Sequence, residues 1–382
     1  MNVSVRGRTK HFQTVSFDPQ TNAVSLIDQR CLPHDFIVVA MKNYQATAAA
    51  IRDMIVRGAG AIGATAAFGL AQGARAFRGQ SLGAFNAHIQ TVHTVLKSAR
   101  PTAVDPVNAL NAVRREMQRG ATVREQQQLA VAAAQHFADA DIAHCRAIGT
   151  HGAPLIRNGA TVLTHCNAGW LAFVDIGTAT APIYAAQNRG RDFLVLCDET
   201  RPRCQGASLT AWELAQQGIR HHVIADNAAG DLMQRGKIDL VLVGSDRVLG
   251  HTGHVANKIG TYSTAVLAHR HGIPFYVAIP LSTIDWNLKS WKRIPIEERS
   301  GDEVLGAWGA LHPSIGKTPR SKVGSRAYVR IANPTSTALN PGFDVTPPEL
   351  ITGIITPHGI LRPGELIKLK RFHKSSATRP IA

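Results

Sequence analysis

Cys166 lies in Thr164-His-Cys-Asn-Ala-Gly169, Asp198 and Glu199 open Asp198-Glu-Thr-Arg-Pro-Arg-Cys-Gln-Gly206, Asp226 follows His222-Val-Ile-Ala225, and Asp246 sits in Gly244-Ser-Asp-Arg-Val248. Each of these groups comes directly after a short β-rich run. A thiol at a strand-to-helix turn is favoured as thiolate by the helix dipole, which makes Cys166 a candidate base, although a lone cysteine is usually core. Asp246 ends an apolar run, where burial raises a carboxyl pKa until the group can donate a proton near neutrality. The Asp198 loop gathers two acids, two arginines and the Gln205 amide, the chemistry that orients polyhydroxy ligands. Arg201 is expected to serve an ion-pair network that fixes this loop. Acids after strands also cap the next helix, and Asp226 reads equally well as such a cap.

Two further stretches suit phosphate. Gly58-Ala-Gly60-Ala-Ile-Gly63 satisfies the G-x-G-x-x-G pattern, yet the preceding Ala46–Ile55 reads as helix and no acid near position 80 awaits a ribose. The spacing instead predicts a loop between helices, with Arg57 and the backbone N–H groups of Gly58 and Ala59 at a helix N-terminus facing a phosphate. Val255-Ala-Asn-Lys-Ile-Gly260 is expected to open a second helix whose amides, with Lys258, hold phosphate too.

The elements that must position these groups follow from periodicity. Val24–Ile27 and Phe36–Ala40 read as small antiparallel strands. An alanine-rich region shows helical spacing over 45–55, 62–76, 83–98, 106–118 and 122–148. Beyond Asn158-Gly159, runs at 161–165, 193–197, 222–225, 239–243 and 274–278 alternate with helical segments such as 207–217 and 258–272. This is an α/β chain: a small sheet plus helical domain over 1–150, then a parallel sheet covered on both faces over 151–382. Ligands bind such sheets beyond the carboxyl ends of the strands, where Cys166, Asp198, Asp226 and Asp246 fall.

Composition excludes several classes. With 382 residues, 45% hydrophobic and 18% charged, the chain can bury a full core. No run approaches the ~18 apolar residues of a membrane helix, and MNVSVRGRTKHF lacks the apolar core of a secretory signal, which points to the cytoplasm. Five widely spaced cysteines argue against a disulfide framework or zinc knuckle, and the seventeen histidines form no recognisable ligand set, so no metal is expected. A net charge of +16 favours phosphorylated ligands. The densest basic cluster, Lys368–Lys374, reads as a solvated end and not as a reader of nucleic acid.

Taken together, Leu26-Ile-Asp-Gln-Arg30, Met54-Ile-Val-Arg-Gly-Ala59, Arg100-Pro-Thr-Ala-Val104, Thr164–Gly169, Asp198–Arg203, Gln205-Gly206, Asn257-Lys-Ile-Gly-Thr-Tyr262, Ser282-Thr-Ile-Asp285 and Phe343-Asp-Val-Thr-Pro347 resemble the methylthioribose-1-phosphate isomerases. That family also includes regulatory subunits of the translation-initiation guanine-nucleotide exchange factor and other aldose-1-phosphate isomerases. The resemblance covers roughly 24–305 and 340–361, leaving 308–335 and the tail beyond 362 unmatched. It implies a homodimer with a Rossmann-like C-terminal domain, and an aldose–ketose isomerase of methionine salvage that needs no cofactor. It further implies that Arg57, Gly58, Ala59, Arg100, Gln205, Asn257 and Lys258 contact the sugar phosphate, that Asp246 donates the proton and that Cys166 assists the transition state. Exchange-factor subunits generally lack this cysteine–aspartate pair, so its presence favours an enzyme over a sugar-phosphate or nucleotide sensor. Gly60 stands where the family usually has proline, the loop His251-Thr-Gly-His254 carries an extra residue, and Trp170-Leu-Ala-Phe-Val-Asp-Ile-Gly177 replaces small residues. If Trp170 lines the pocket, the group on sugar carbon five is smaller than methylthio, as in 5-deoxyribose 1-phosphate.

Overall fold

The computed structural model describes residues 1–5, 7–100, 104–310 and 326–370. The first segment pairs β1 (Asn2–Val5) with β2 (Arg8–His11), then builds an antiparallel sheet from β3 (Val15–Asp18), β4 (Ala23–Ile27) and β5 (Val38–Met41). Five helices follow: α1 (Tyr44–Arg52), α2 (Ala59–Ala76), α3 (Leu82–Ser98), α4 (Asp105–Met117) and α5 (Val123–Gly152). Local chemistry starts several of them. Asn43 and Ser81 accept N–H bonds from Ala46 and Ala84, and Thr122 with Glu125 forms a reciprocal capping box. Small side chains make α2 apolar on every side, so it runs through the centre of this bundle, buried along nearly its whole length.

Beyond α5 the chain alternates β6 (Thr161–Thr164), α6 (Thr180–Asn188), β7 (Leu194–Asp198), α7 (Ala211–Gln216), β8 (His221–Ile224), α8 (Ala228–Gln234) and β9 (Leu240–Val243). It then forms β10 (Arg247–Leu249), β11 (Val255–Lys258), α9 (Thr261–Arg270), β12 (Phe275–Ala278), β13 (Ile284–Asp285), α10 (Asp302–Leu305), β14 (Gly306–Ala310), β15 (Arg326–Arg330), β16 (Phe343–Thr346), β17 (Gly353–Thr356) and β18 (Gly359–Leu361).

The main sheet has the order β18-β17-β12-β9-β6-β7-β8 and is parallel except for β18. Its helices lie on both faces. Met233 of α8 and Ala265 of α9 join Leu163, Val241 and Val277 on one side, and Ile148 of α5, Ile183 of α6 and Leu214 of α7 join Val162, Val195 and Leu242 on the other. The chain leaves β6 toward β7 and β8, then returns to place β9 on the opposite flank of β6. That is the strand order of a doubly wound, Rossmann-like sheet, and the crevice between β6 and β9 is its topological switch point.

Two stretches differ from the sequence expectation. Val255–Lys258 is a strand of a second, four-stranded sheet ordered β13-β10-β11-β16, and its helix begins only at Thr261. The segment before α7 opens as a π-helical turn, Gly206–Thr210. The unmatched 308–335 region contributes part of the β14–β15 hairpin, with 311–325 outside the described residues, as are 371–382 of the basic tail. Among the described residues no helix is long and apolar enough to cross a membrane.

Candidate active site

Cys166 follows β6 and Asp246 follows β9, so the two face each other across the switch point and line one cavity. No helix begins at Cys166, since a 3-10 turn comes at Trp170–Ala172 and α6 only at Thr180, so the dipole argument does not apply. The backbone itself aims the thiol. Cys166 sits at φ +65°, its N–H donates to Thr200 Oγ1 at 2.8 Å, and its carbonyl accepts from Thr210 Oγ1 at 2.7 Å. Thr200, a β-branched residue, is itself at φ +66°. Such conformations cost on the order of 1–3 kcal/mol each and persist where surrounding bonds enforce them. Burial pushes the Asp246 carboxyl above the ordinary carboxylate range, while Arg100, Arg247 and Lys258 pull the other way.

The second wall comes from the helical bundle. Gly58, at φ +95°, has its backbone against Ala172, where an added Cβ would lie 2.3 Å from the Ala172 Cα. Only glycine fits there, and α2 then starts at Ala59 with no side-chain cap, leaving first-turn N–H groups for the cavity. Arg57 donates to Asn167 Oδ1 at 2.6 Å and to its carbonyl at 2.7 Å. Asn167 is fixed in turn by Glu213, whose two oxygens accept from Asn167 Nδ2, Leu171 N, Trp170 N and Tyr184 OH at 2.8–2.9 Å. Arg100 pairs with Glu297 at 3.0 Å.

Lys258 donates to the Gly342 carbonyl at 2.8 Å and lies over the Phe343 ring, 4.7 Å from its centre. The N-terminus of α9 is not available to a phosphate: Asp344 accepts from Gly260 N at 2.7 Å and Tyr262 N at 3.1 Å. Asn257 lines the cavity while donating to Thr261 Oγ1. Gln205 also lines it, buried, with Oε1 lacking any partner among the described residues. The residues that the resemblance assigns to substrate and catalysis border one cavity, namely Arg57, Gly58, Ala59, Arg100, Cys166, Gln205, Asp246, Asn257 and Lys258, whereas the acids Asp198, Glu199 and Asp226 do not line it.

Other expectations resolve differently. Trp170 is 1% exposed, stacked on Trp212 with ring centres 5.9 Å apart, and does not line the cavity; Ala172 and Phe173 do. Asp226 caps no helix, because its oxygens accept from Thr200 N and Arg201 N. Arg201 serves structure, donating to the carbonyls of Glu303, Val304 and Gly306, whereas Arg203 reaches the cavity and pairs with Glu303 at 2.8 Å.

Sequence reasoning passed over Arg299 and His165. Arg299 borders the cavity from a stretch without a recognisable motif, held by Glu297 and Glu303. His165 could have been noticed as a polar residue closing an apolar strand. Its Nδ1 meets Asp198 Oδ2 at 2.9 Å and its Nε2 meets the Ile259 carbonyl at 2.8 Å. Burial opposes charge on this ring, but the Asp198 carboxylate and the Ile259 carbonyl outweigh it and raise the pKa to about 9.

Among the described residues, His165, Asp198 and Asp226 form the one group able to hold a metal ion, with ligand atoms within 4.8 Å of one another. The hydrogen bonds just given account for this cluster. Because the folded pKa of His165 lies above its ordinary 6.5, its contribution to stability is full below pH 6.5 and disappears as pH rises through 9. Urea titrations from pH 6 to 10 should show roughly 2–3 kcal/mol of loss that is absent in His165→Asn, and parallel curves for the two proteins would refute the charged imidazole.

The profile described as "Initiation factor 2 subunit family" matches residues 55–363. The methylthioribose-1-phosphate isomerase of Sinorhizobium medicae is 47% identical over 361 residues, covering 92% of this chain and 94% of that protein. That of Brucella anthropi is 47% identical over 364 residues, covering 93% and 95%. Among solved structures, the 5-methylthioribose 1-phosphate isomerase from Pyrococcus horikoshii superposes with a TM-score of 0.81 at 40% identity, covering 96% of this chain and 97% of that one. The translation initiation factor eIF-2B subunit delta from A. fulgidus gives 0.77 at 35% identity, covering 95% and 100%.

Proposed function

We infer that this chain, which belongs to the initiation factor 2 subunit family, is an aldose–ketose isomerase that converts 5-methylthioribose 1-phosphate into 5-methylthioribulose 1-phosphate. The observation that carries this reading is the juxtaposition of Cys166 and Asp246 on the two strands flanking the switch point, inside a cavity walled by arginine, lysine and free helix N–H groups. Similarity to isomerases at 47% identity over more than nine-tenths of the chain supports it.

The residue roles below belong to this proposal. The anomeric phosphate blocks ring opening to a free aldehyde, so the reaction needs an acid that protonates the ring oxygen directly. Asp246, its pKa raised by burial, donates that proton. Arg57 and the N–H groups at Gly58 and Ala59 hold the phosphate, helped by Lys258 and Arg100. The unpartnered Gln205 oxygen and Asn257 take sugar hydroxyls. Hydrogen then moves from carbon two to carbon one beside Cys166, with a water-poor cavity protecting the intermediate. The protein acts in the cytoplasm as a homodimer.

The likeness to an eIF-2B subunit favours a second reading, a sugar-phosphate sensor without turnover. Ketose formation from methylthioribose 1-phosphate by the purified protein, abolished in Cys166→Ser, decides between them. Ligand-induced heat stabilisation with no ketose would establish the sensor.

A further inference from the structure

Met54, Ile62, Ala172 and Phe173 are apolar residues lining the cavity, and Ala172 and Phe173 lie against the first turn of α2. Phe343, the other phenylalanine lining the cavity, is committed beneath the Lys258 ammonium. A ribose 1-phosphate presents phosphate, ring oxygen and hydroxyls to the polar lining, and only its carbon-five substituent matches an apolar wall.

Phe173 reaches this wall through one specific accommodation. A Cβ on Gly60 would lie 2.4 Å from Phe173 Cδ1 and 3.0 Å from Cε1, and 2.5 Å from Asp141 Oδ1. Gly60 stands second in α2, where the helix backbone itself tolerates proline, the residue usual in the resembling family. The Asp141 carboxylate is buried, and its other oxygen accepts from Val174 N at 2.8 Å. The Phe173 ring is equally confined, being 2% exposed and wedged with Ala172 and Cys145. Phenylalanine at 173 and a side chain at 60 are therefore mutually exclusive.

We propose that Phe173, admitted by Gly60, is the specificity-determining residue for the carbon-five substituent, its ring packing against the methylthio group and closing the wall to longer chains. This rests on the isomerase reading above. A thioether sulfur at an aromatic ring is a favourable contact, and a pocket sized to one methyl discriminates by roughly 10- to 200-fold per methylene.

The test measures kcat/KM for 5-methylthio-, 5-deoxy- and 5-butylthioribose 1-phosphate in wild type, Phe173→Ala, Gly60→Pro and the double variant. Phe173→Ala should lower the methylthio-to-butylthio ratio at least ~10-fold and bring the methylthio and 5-deoxy substrates closer together. Gly60→Pro alone should lose at least ~10-fold of activity or fail to fold, and the double variant should regain solubility and methylthio turnover relative to it. An unchanged ratio in an active Phe173→Ala overturns the role of Phe173 while leaving the isomerase standing. A wild type that turns over none of the three substrates overturns the isomerase reading, and this proposal with it.

Discussion

Asp246→Asn loses at least ~100-fold in kcat for methylthioribose 1-phosphate, with KM little changed, if the carboxyl is the acid that opens the ring. The amide keeps the shape and cannot give up a proton. The pH profile sharpens the expectation. Burial holds the Asp246 pKa above its ordinary value, so the protonated, active form is complete at low pH and declines as pH rises through that raised pKa. The wild-type profile should therefore fall on its alkaline side through this group, and that limb should be missing from whatever activity Asp246→Asn retains. Near-normal turnover by the asparagine variant would remove Asp246 from the mechanism and turn attention to Asp105, a buried carboxyl raised to about 7 by burial, with the Asp246 charge adding to the effect.

The largest stability effect should come from Glu213, which touches no substrate. Burial raises its pKa, and four donors hold the ionised form against that tendency. Glu213→Ala takes this acceptor from the Trp170 and Leu171 N–H groups and the Tyr184 hydroxyl and leaves the Asn167 amide with Thr210 Oγ1, in a site closed to water. Removing one side of a buried charged network costs about 3–5 kcal/mol, and urea denaturation should read a loss of that size. Glu213→Gln should fall between, since it keeps the volume and one acceptor. A loss below ~1 kcal/mol in the alanine variant would mean that the network is dispensable. Because Asn167 is the link from Glu213 to Arg57, both variants should also raise KM.

The placement of Cys166 and Asp246 at strand ends was legible because strands and helices alternate with clear periods, and polar residues interrupt apolar runs where each strand stops. What periodicity cannot supply is strand order. Asp198 and Asp226 follow strands just as Asp246 does, yet only β6 and β9 border the switch point, and that depends on pairings between distant segments. The start of α2 beside Arg57 and Gly58 was readable because it is local. The α9 site was misread because its cap, Asp344, comes 84 residues after Gly260. Trp170 illustrates the same limit at short range. It is four residues from Cys166, but an irregular turn aims its ring at Trp212 and leaves the cavity to Ala172 and Phe173. Arg299 left no local trace, and Gly60 and Phe173 stood out only as departures from the resembling family, with nothing in the sequence to say that they meet.

α5 carries a consequence of another kind. Its first half contributes Ala130, Ala134 and Ala138 to the bundle around α2, while Ile148 near its end belongs to the apolar face of the parallel sheet. One rod of 30 residues, about 45 Å long, is thus shared by both cores. Two bodies that share a rod have no pivot between them, so the cavity wall from the bundle and the wall from the sheet keep a fixed spacing. For the same reason the chain should resist being divided. Two fragments produced by a cut after Gly152 would leave the sheet without its α5 cover, and they should recover ketose formation only when produced together.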